Sequence, residues 1–171
     1  EGNQAGVCLL EDMPEDEVLR SIAAENNLAE TAFLLPVENG YHLRWFSPLL
    51  EMTLCGHATL ASAHVLWESG LVPAQGDIRF HTLSGELTAS REAGWIALDF
   101  PARDNEPATL PASLEILFKD KAVNIAYSVD RYIVELNSAA AVAEFVPDRE
   151  LLKPYRCVIT ARGEEHTPYD F

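Results

Sequence analysis

A chain of 171 residues, 48% of them apolar, is enough for one ordinary domain or two small ones with a packed core, and it reads as a soluble globular protein. Lys plus Arg total 12 against 27 for Asp plus Glu, and the resulting net charge of −15 argues against nucleic acid or an anionic membrane as the main partner. Three cysteines, Cys8, Cys55 and Cys157, are an odd number at wide spacing, which fits a reducing cytoplasm better than a disulfide framework.

The chain begins at Glu1-Gly2-Asn3 without an initiator Met, which hints at a missing start, and these residues carry neither a signal-peptide pattern nor an internal repeat. Val7 to Leu10 is a short apolar run suited to a strand. A helix follows, with Pro14 at its first position, Glu15, Asp16 and Glu17 in its first turn, an apolar face of Val18, Leu19, Ile22 and Ala23, and Asn26-Asn27 at its end. Thr31 to Leu35 and Tyr41 to Phe46 form a hairpin about the Asn39-Gly40 turn signal, and Ser47-Pro48 breaks its second strand.

Met52 to Gly70, MTLCGHATLASAHVLWESG, holds the central element, a helix over 57–69 that starts after Cys55-Gly56 and ends at Gly70. On a 3.6-residue wheel Ala58, Leu60, Ala61, Ala63, Val65, Leu66 and Trp67 fall on every side, leaving His57, His64 and Glu68 as a narrow polar stripe. A helix apolar all round is normally buried, and this one is too short to span a bilayer, so a curved sheet is its natural wrapping. Asp77 to Leu83, Glu86 to Arg91 and Trp95 to Phe100 read as three strands, the first two joined at Ser84-Gly85.

A first domain over 1–101 is followed by a proline-rich linker, 102–111, and the start of a second domain over 112–171. In the latter, Ser113 to Lys119 and Ala139 to Phe145 read as helices, and Ala122 to Ser128, Tyr132 to Leu136 and Cys157 to Ala161 as strands. This half has no second long apolar helix to serve as its centre.

Three constellations could carry chemistry. In Cys55-Gly56-His57-Ala58-Thr59 the amides of a first helical turn offer a site for a carboxylate, and a thiol at a helix start can have a lowered pKa, which would make Cys55 a base or nucleophile. The alternative is a small core cysteine beside a packing glycine. In Ala29-Glu30-Thr31-Ala32-Phe33 a carboxylate stands beside an apolar strand, a setting that raises its pKa toward the range of a general acid or base; the alternative is an exposed strand-edge glutamate. Gly2-Asn3-Gln4-Ala5-Gly6 is too poor in glycine for a dinucleotide loop and by itself reads as loop. No metal site is expected: His57 and His64 share a face without a third ligand, and His64 with Glu68 is more simply an i,i+4 pair. His42, His81 and His166 read as isolated surface residues. There is no G-x-S-x-G elbow, Walker loop or H-E-x-x-H.

Taken together, Gly2-Asn3-Gln4-Ala5-Gly6-Val7, Ala29-Glu30-Thr31-Ala32-Phe33, Leu43-Arg44-Trp45-Phe46-Ser47-Pro48 and Leu54-Cys55-Gly56-His57-Ala58-Thr59, in that order, resemble the phenazine-biosynthesis PhzF-like isomerase family. The resemblance extends to Tyr169-Asp170-Phe171, which is similar to the point just before that family's second-domain motif. It implies an α+β fold of the diaminopimelate-epimerase-like kind: two pseudo-symmetric domains, each a sheet rolled into a barrel around a central helix, the second incomplete here, with the active site in the cleft between them. By the same resemblance Glu30 matches the catalytic acid/base, and His57 and Gly56 match helix-start residues of the site. Cys55 lies where related epimerases keep one of two catalytic cysteines, and the loop of Asn3, Ala5 and Gly6 lines the cleft. Gln4 stands in place of the more usual proline and Ala29 in place of the usual serine.

The expected chemistry is cofactor-independent proton transfer on a small carboxylate-bearing substrate. Glu30 and His57 act on the proton, and the amides of Gly56, His57 and Ala58 hold the carboxylate. The family implies a homodimer. Two alternatives stay open: an epimerase or racemase with Cys55 as second base, and a binding or interaction protein that keeps the scaffold without catalysis.

Overall fold

The computed structural model describes residues 2–168 and 170–171; Tyr169 of the Tyr169-Asp170-Phe171 segment and Glu1 of the Glu1-Gly2-Asn3 start lie outside the described residues. The chain forms two compact units, Glu1–Pro101 and Ala102–Phe171.

The first unit runs β1 (Ala5–Leu9), α1 (Asp16–Asn26), β2 (Glu30–Val37), β3 (Gly40–Phe46), β4 (Glu51–Met52), α2 (Gly56–Glu68), β5 (Ile78–Thr82), β6 (Gly85–Glu92) and β7 (Trp95–Asp99). Its sheet is ordered β1-β2-β3-β5-β6-β7, with β4 paired to β3 beside this path. β1–β2 and β3–β5 are parallel, and the other pairs antiparallel. The two ends of the sheet, β1 and β7, both pack on α2. A sheet whose first and last strands reach the same helix must curl around it, as right-handed strand twist allows. The fold is therefore α+β with a strongly curled half-barrel sheet around a central helix, as the apolar wheel implies.

Residue by residue, the helix is less enclosed than that wheel suggests. Ala58, Thr59, Ser62, Ala63, Leu66 and Trp67 are buried, while Leu60, His64 and Glu68 are exposed, so one side of α2 is open. Thr59 and Ser62 can be buried because their hydroxyls donate to the carbonyls of Cys55 and Ala58 one turn back, at 2.6 and 2.7 Å. The expected interaction of His64 with Glu68 is present, and Glu68 has a closer partner besides: Arg91 Nη2 lies 2.6 Å from Glu68 Oε1 while its guanidinium stacks on Trp67. Beyond Ser69, Gly70 takes φ +72°, the left-handed closure foreseen there.

Several boundaries move. β1 starts at Ala5, two residues before the apolar run, because its parallel partner β2 extends to Glu30 opposite it. Pro14 lies before the N-cap, Glu15, whose carbonyl accepts the first helical bonds from Val18 and Leu19. The 40–46 strand begins at a glycine that nothing else can replace, since a Cβ at Gly40 would sit 2.3 Å from the Arg79 carbonyl oxygen. His42 and His81 are half-buried register partners on β3 and β5, and His81 Nε2 lies 3.3 Å from the Asn39 carbonyl, so neither is isolated at the surface; His166 is exposed.

The second unit contains β8 (Glu106–Pro107), α3 (Ala112–Phe118), a 3-10 turn (Lys119–Lys121), β9 (Ala122–Ser128), β10 (Arg131–Leu136), α4 (Ala139–Ala143), α5 (Arg149–Leu152) and β11 (Cys157–Thr160), with sheet order β11-β10-β9-β8. β8 falls inside the proline-rich 102–111 segment, where pairing with β9 imposes extended backbone that local composition does not signal. This unit has a centre after all, a core of Leu114 and Phe118 on α3, Ala141 on α4, Val134 and Leu136 on β10 and Ala161 just after β11, with no long helix. The first unit holds two parallel pairs joined through helix, β1–β2 and β3–β5, and the second unit holds one, β10–β11. Ala5 faces Glu30 in β1–β2 and Tyr132 faces Cys157 in β10–β11.

Candidate active site

Three local features bring the site together. The parallel β1–β2 pair sets Ala5 opposite Glu30 and Gly6 opposite Thr31, which places the segment containing Asn3 beside the start of β2. Asn26, at the end of α1, donates from Nδ2 to Thr31 Oγ1 at 3.1 Å and so pins the residue after Glu30. Cys55 is the extended N-cap of α2, φ −144°, and Gly56 and His57 are the helix's first two residues.

The resulting cluster is tight. His57 Nε2 lies 3.1 Å from Glu30 Oε2, His57 Nδ1 lies 3.3 Å from Asn3 Nδ2, and Cys55 Sγ lies 3.5 Å from the same Nδ1. The Glu30 side chain is 16% exposed and that of His57 26%, so Glu30 is not the solvated strand-edge glutamate of the alternative reading. The Nε2 atom itself is buried, and its approach to Glu30 is close in distance but not aligned as a hydrogen bond. Such misalignment is common where a ligand is needed to tighten the site.

Cys55 departs from expectation. Burial, the largest effect, and the facing Glu30 carboxylate push its thiol up to about 11, against a smaller opposing pull from the Ala58 backbone N–H. The helix start does not lower this thiol's pKa as foreseen, because loss of water outweighs the one amide that favours the thiolate. Cys55 is also part of the first unit's core, so the reading of a small core residue holds beside any role in the site.

The amides of Gly56, His57 and Ala58 precede the first bond within α2, donated by Thr59 N–H to the Cys55 carbonyl at 3.2 Å. They form the positive end of the helix, the usual feature of a carboxylate-binding turn. A Cβ added at Gly56 would touch only the Phe100 ring, at 3.4 Å, which is an ordinary contact. Packing therefore does not explain the glycine.

Glu30, Cys55 and His57 each offer one ligand atom, and these atoms lie within 4.8 Å of one another. A sulfur, nitrogen and oxygen set of this kind suits zinc in principle. The sequence shows no third ligand beside His57 and His64; the fold instead brings Glu30 and Cys55 to His57, at the positive start of α2. His64, on the exposed side of α2, takes no part. The hydrogen bond from Asn26 to Thr31 was not anticipated; Asn26 looked only like a helix stop, and its partner five residues on is set by how α1 turns back to β2.

A protein-family profile described as "Phenazine biosynthesis-like protein" matches residues 1–171. An uncharacterized isomerase of Halalkalibacterium halodurans is 40% identical over 99% of the chain, and an uncharacterized isomerase of Pseudomonas aeruginosa is 42% identical over 100%. The chain spans 65% of the length of each of these relatives. The crystal structure of a phenazine biosynthesis protein of the PhzF family from Enterococcus faecalis matches 96% of the chain and 64% of its own length, with TM-score 0.83 and 34% identity. A predicted epimerase from Pseudomonas aeruginosa shares the fold at TM-score 0.61 and 18% identity.

Proposed function

The chain belongs to the phenazine biosynthesis-like protein family, and from that premise we propose that it acts as an isomerase, moving a proton without a cofactor on a small carboxylate-bearing metabolite. The observation that carries the reading is the convergence of Glu30 and His57, 3.1 Å apart, at the amide-rich start of α2. A carboxylate base removes a carbon-bound proton most readily when the neighbouring negative charge is held by preorganised donors. Here the Gly56 and His57 amides, with Ala58 beside them, bind the substrate carboxylate, while Glu30 takes the proton from one carbon and returns it to another. His57 lies against Glu30 and steadies it during the transfer.

The epimerase alternative, with Cys55 as thiolate base, is the weaker one, because a thiol held near 11 stays protonated at neutral pH. Assembly as a homodimer and a cytoplasmic setting belong to the same proposal. They draw support from the family and from the free thiols of Cys8, Cys55 and Cys157. No helix among the described residues is long and apolar enough to cross a membrane.

Proton exchange tests the proposal directly. Incubated in deuterium oxide with a panel of small carboxylates, the protein should incorporate deuterium at carbon, and Glu30→Gln should slow this by at least about 100-fold while leaving ligand binding intact. Exchange by Glu30→Gln at the wild-type rate would remove Glu30 from the mechanism. Calorimetric binding of a carboxylate with no exchange in the wild type would favour the non-catalytic reading.

A further inference from the structure

The two ring nitrogens of His57 face opposite kinds of neighbour. Nδ1 is met by the Asn3 side-chain amide nitrogen, a donor, at 3.3 Å and by Cys55 Sγ at 3.5 Å. Nε2 is buried and lies 3.1 Å from the Glu30 carboxylate, an acceptor, though out of line for a full hydrogen bond. A neutral imidazole carries one proton, and it belongs where the acceptor is.

We propose that Cys55 and Asn3 are positioning residues for His57: their donors at Nδ1 hold the imidazole in the tautomer that carries its proton on Nε2, toward Glu30. The opposite tautomer would aim a lone pair at the carboxylate and an N–H at two donors, leaving both sides of the ring mismatched. Cys55 can serve as donor because burial keeps its proton in place at neutral pH. The sulfur also faces Glu30, so Asn3 gives Nδ1 a second donor that does not depend on which acceptor the thiol chooses. This gives the cysteine a role different from that of a second base. It rests on the proposed function only for its catalytic meaning; the tautomer itself is a property of the free protein.

Long-range proton–nitrogen correlation spectra of the nitrogen-15-labelled chain test it without substrate, with the His57 signals identified by their loss in His57→Gln. The wild type should show Nδ1 at the unprotonated shift and Nε2 at the protonated one. Asn3→Asp exchanges a donor for an acceptor at an exposed position with nearly the same shape, and should move Nδ1 toward the protonated shift. Cys55→Ala should move it the same way, and Cys55→Ser, which restores a donor, should move it back. A protonated Nδ1 in the wild type, or an Nδ1 shift unchanged in Asn3→Asp, would overturn the proposal. Asn3→Asp decides the matter even if the buried Cys55 variants fold poorly. Failure of the isomerase reading appears separately, as unaltered exchange in Glu30→Gln.

Discussion

At the scale of single residues, the thiol of Cys55 is the group whose behaviour is most open to measurement. Its pKa is raised from an ordinary 9.0 to about 11, so the folded state binds this proton more tightly than the unfolded one. The contribution to stability is intact below about 9 and is lost as pH rises through about 11. Iodoacetamide should therefore label Cys55 more slowly than the same residue in urea at pH 8, by about 10-fold or more, and labelling should accelerate between pH 9 and 11. Peptide mapping separates it from Cys8 and Cys157, whose thiols burial also raises. Rapid labelling of Cys55 at pH 7 would show that its sulfur is exposed and ionised. A second test lies next door: Gly56→Ala should fold, since its Cβ meets only the Phe100 ring, but should weaken carboxylate binding by about 10-fold or more, which calorimetry would register. Undiminished binding would remove the Gly56 turn from the anion site.

At the scale of elements, what fixes the strand carrying the Leu43-to-Pro48 motif is an ion cluster that no local pattern announces. Arg44 on β3 donates to both oxygens of Glu51 on β4, at 2.7 Å each, and pairs with Asp16 in the first turn of α1 at 2.8 Å, while stacking over Phe46. The pairing with Glu51 and Asp16 raises an already high guanidinium pKa further, so the charge is permanent. Its side chain is 15% exposed and that of Glu51 22%, so water screens this cluster much less than an ordinary surface pair. Lysine cannot reproduce the bidentate fork. Arg44→Lys should lower the stability of the first unit by about 2 kcal/mol in urea denaturation, and an unchanged midpoint would mean the cluster contributes nothing net. The sequence shows Arg44 within a motif but not its partners, because Glu51 lies on a two-residue strand created by pairing and not by propensity.

At the scale of the whole molecule, a net charge of −15 sets the solution behaviour. With 27 acidic against 12 basic residues, like charges outnumber the pairs that could offset them, so self-repulsion works against the compact state. Thermal stability should rise from low salt to about 0.15 M, where the Debye length falls to about 8 Å. A melting temperature that drops with salt would show that the attractive ion pairs dominate instead.

The sequence alone determined the elements whose signals are local: the hairpin about Asn39-Gly40, the central helix, read as 57–69 and found at Gly56–Glu68, with its glycine closure, and the apolar β9 and β10 strands. Local energetics suffices there, because turn chemistry and apolar periodicity act over a few residues. Through the resemblance, its motifs also singled out Asn3, Glu30, Cys55 and His57. Only the tertiary structure decided that these four meet within hydrogen-bonding reach, because the parallel β1–β2 register and the curl of the sheet around α2 bring together residues far apart in the chain. It also decided the state of Cys55. A thiol's pKa depends on how much water and charge surround it, and no spacing along the chain records that.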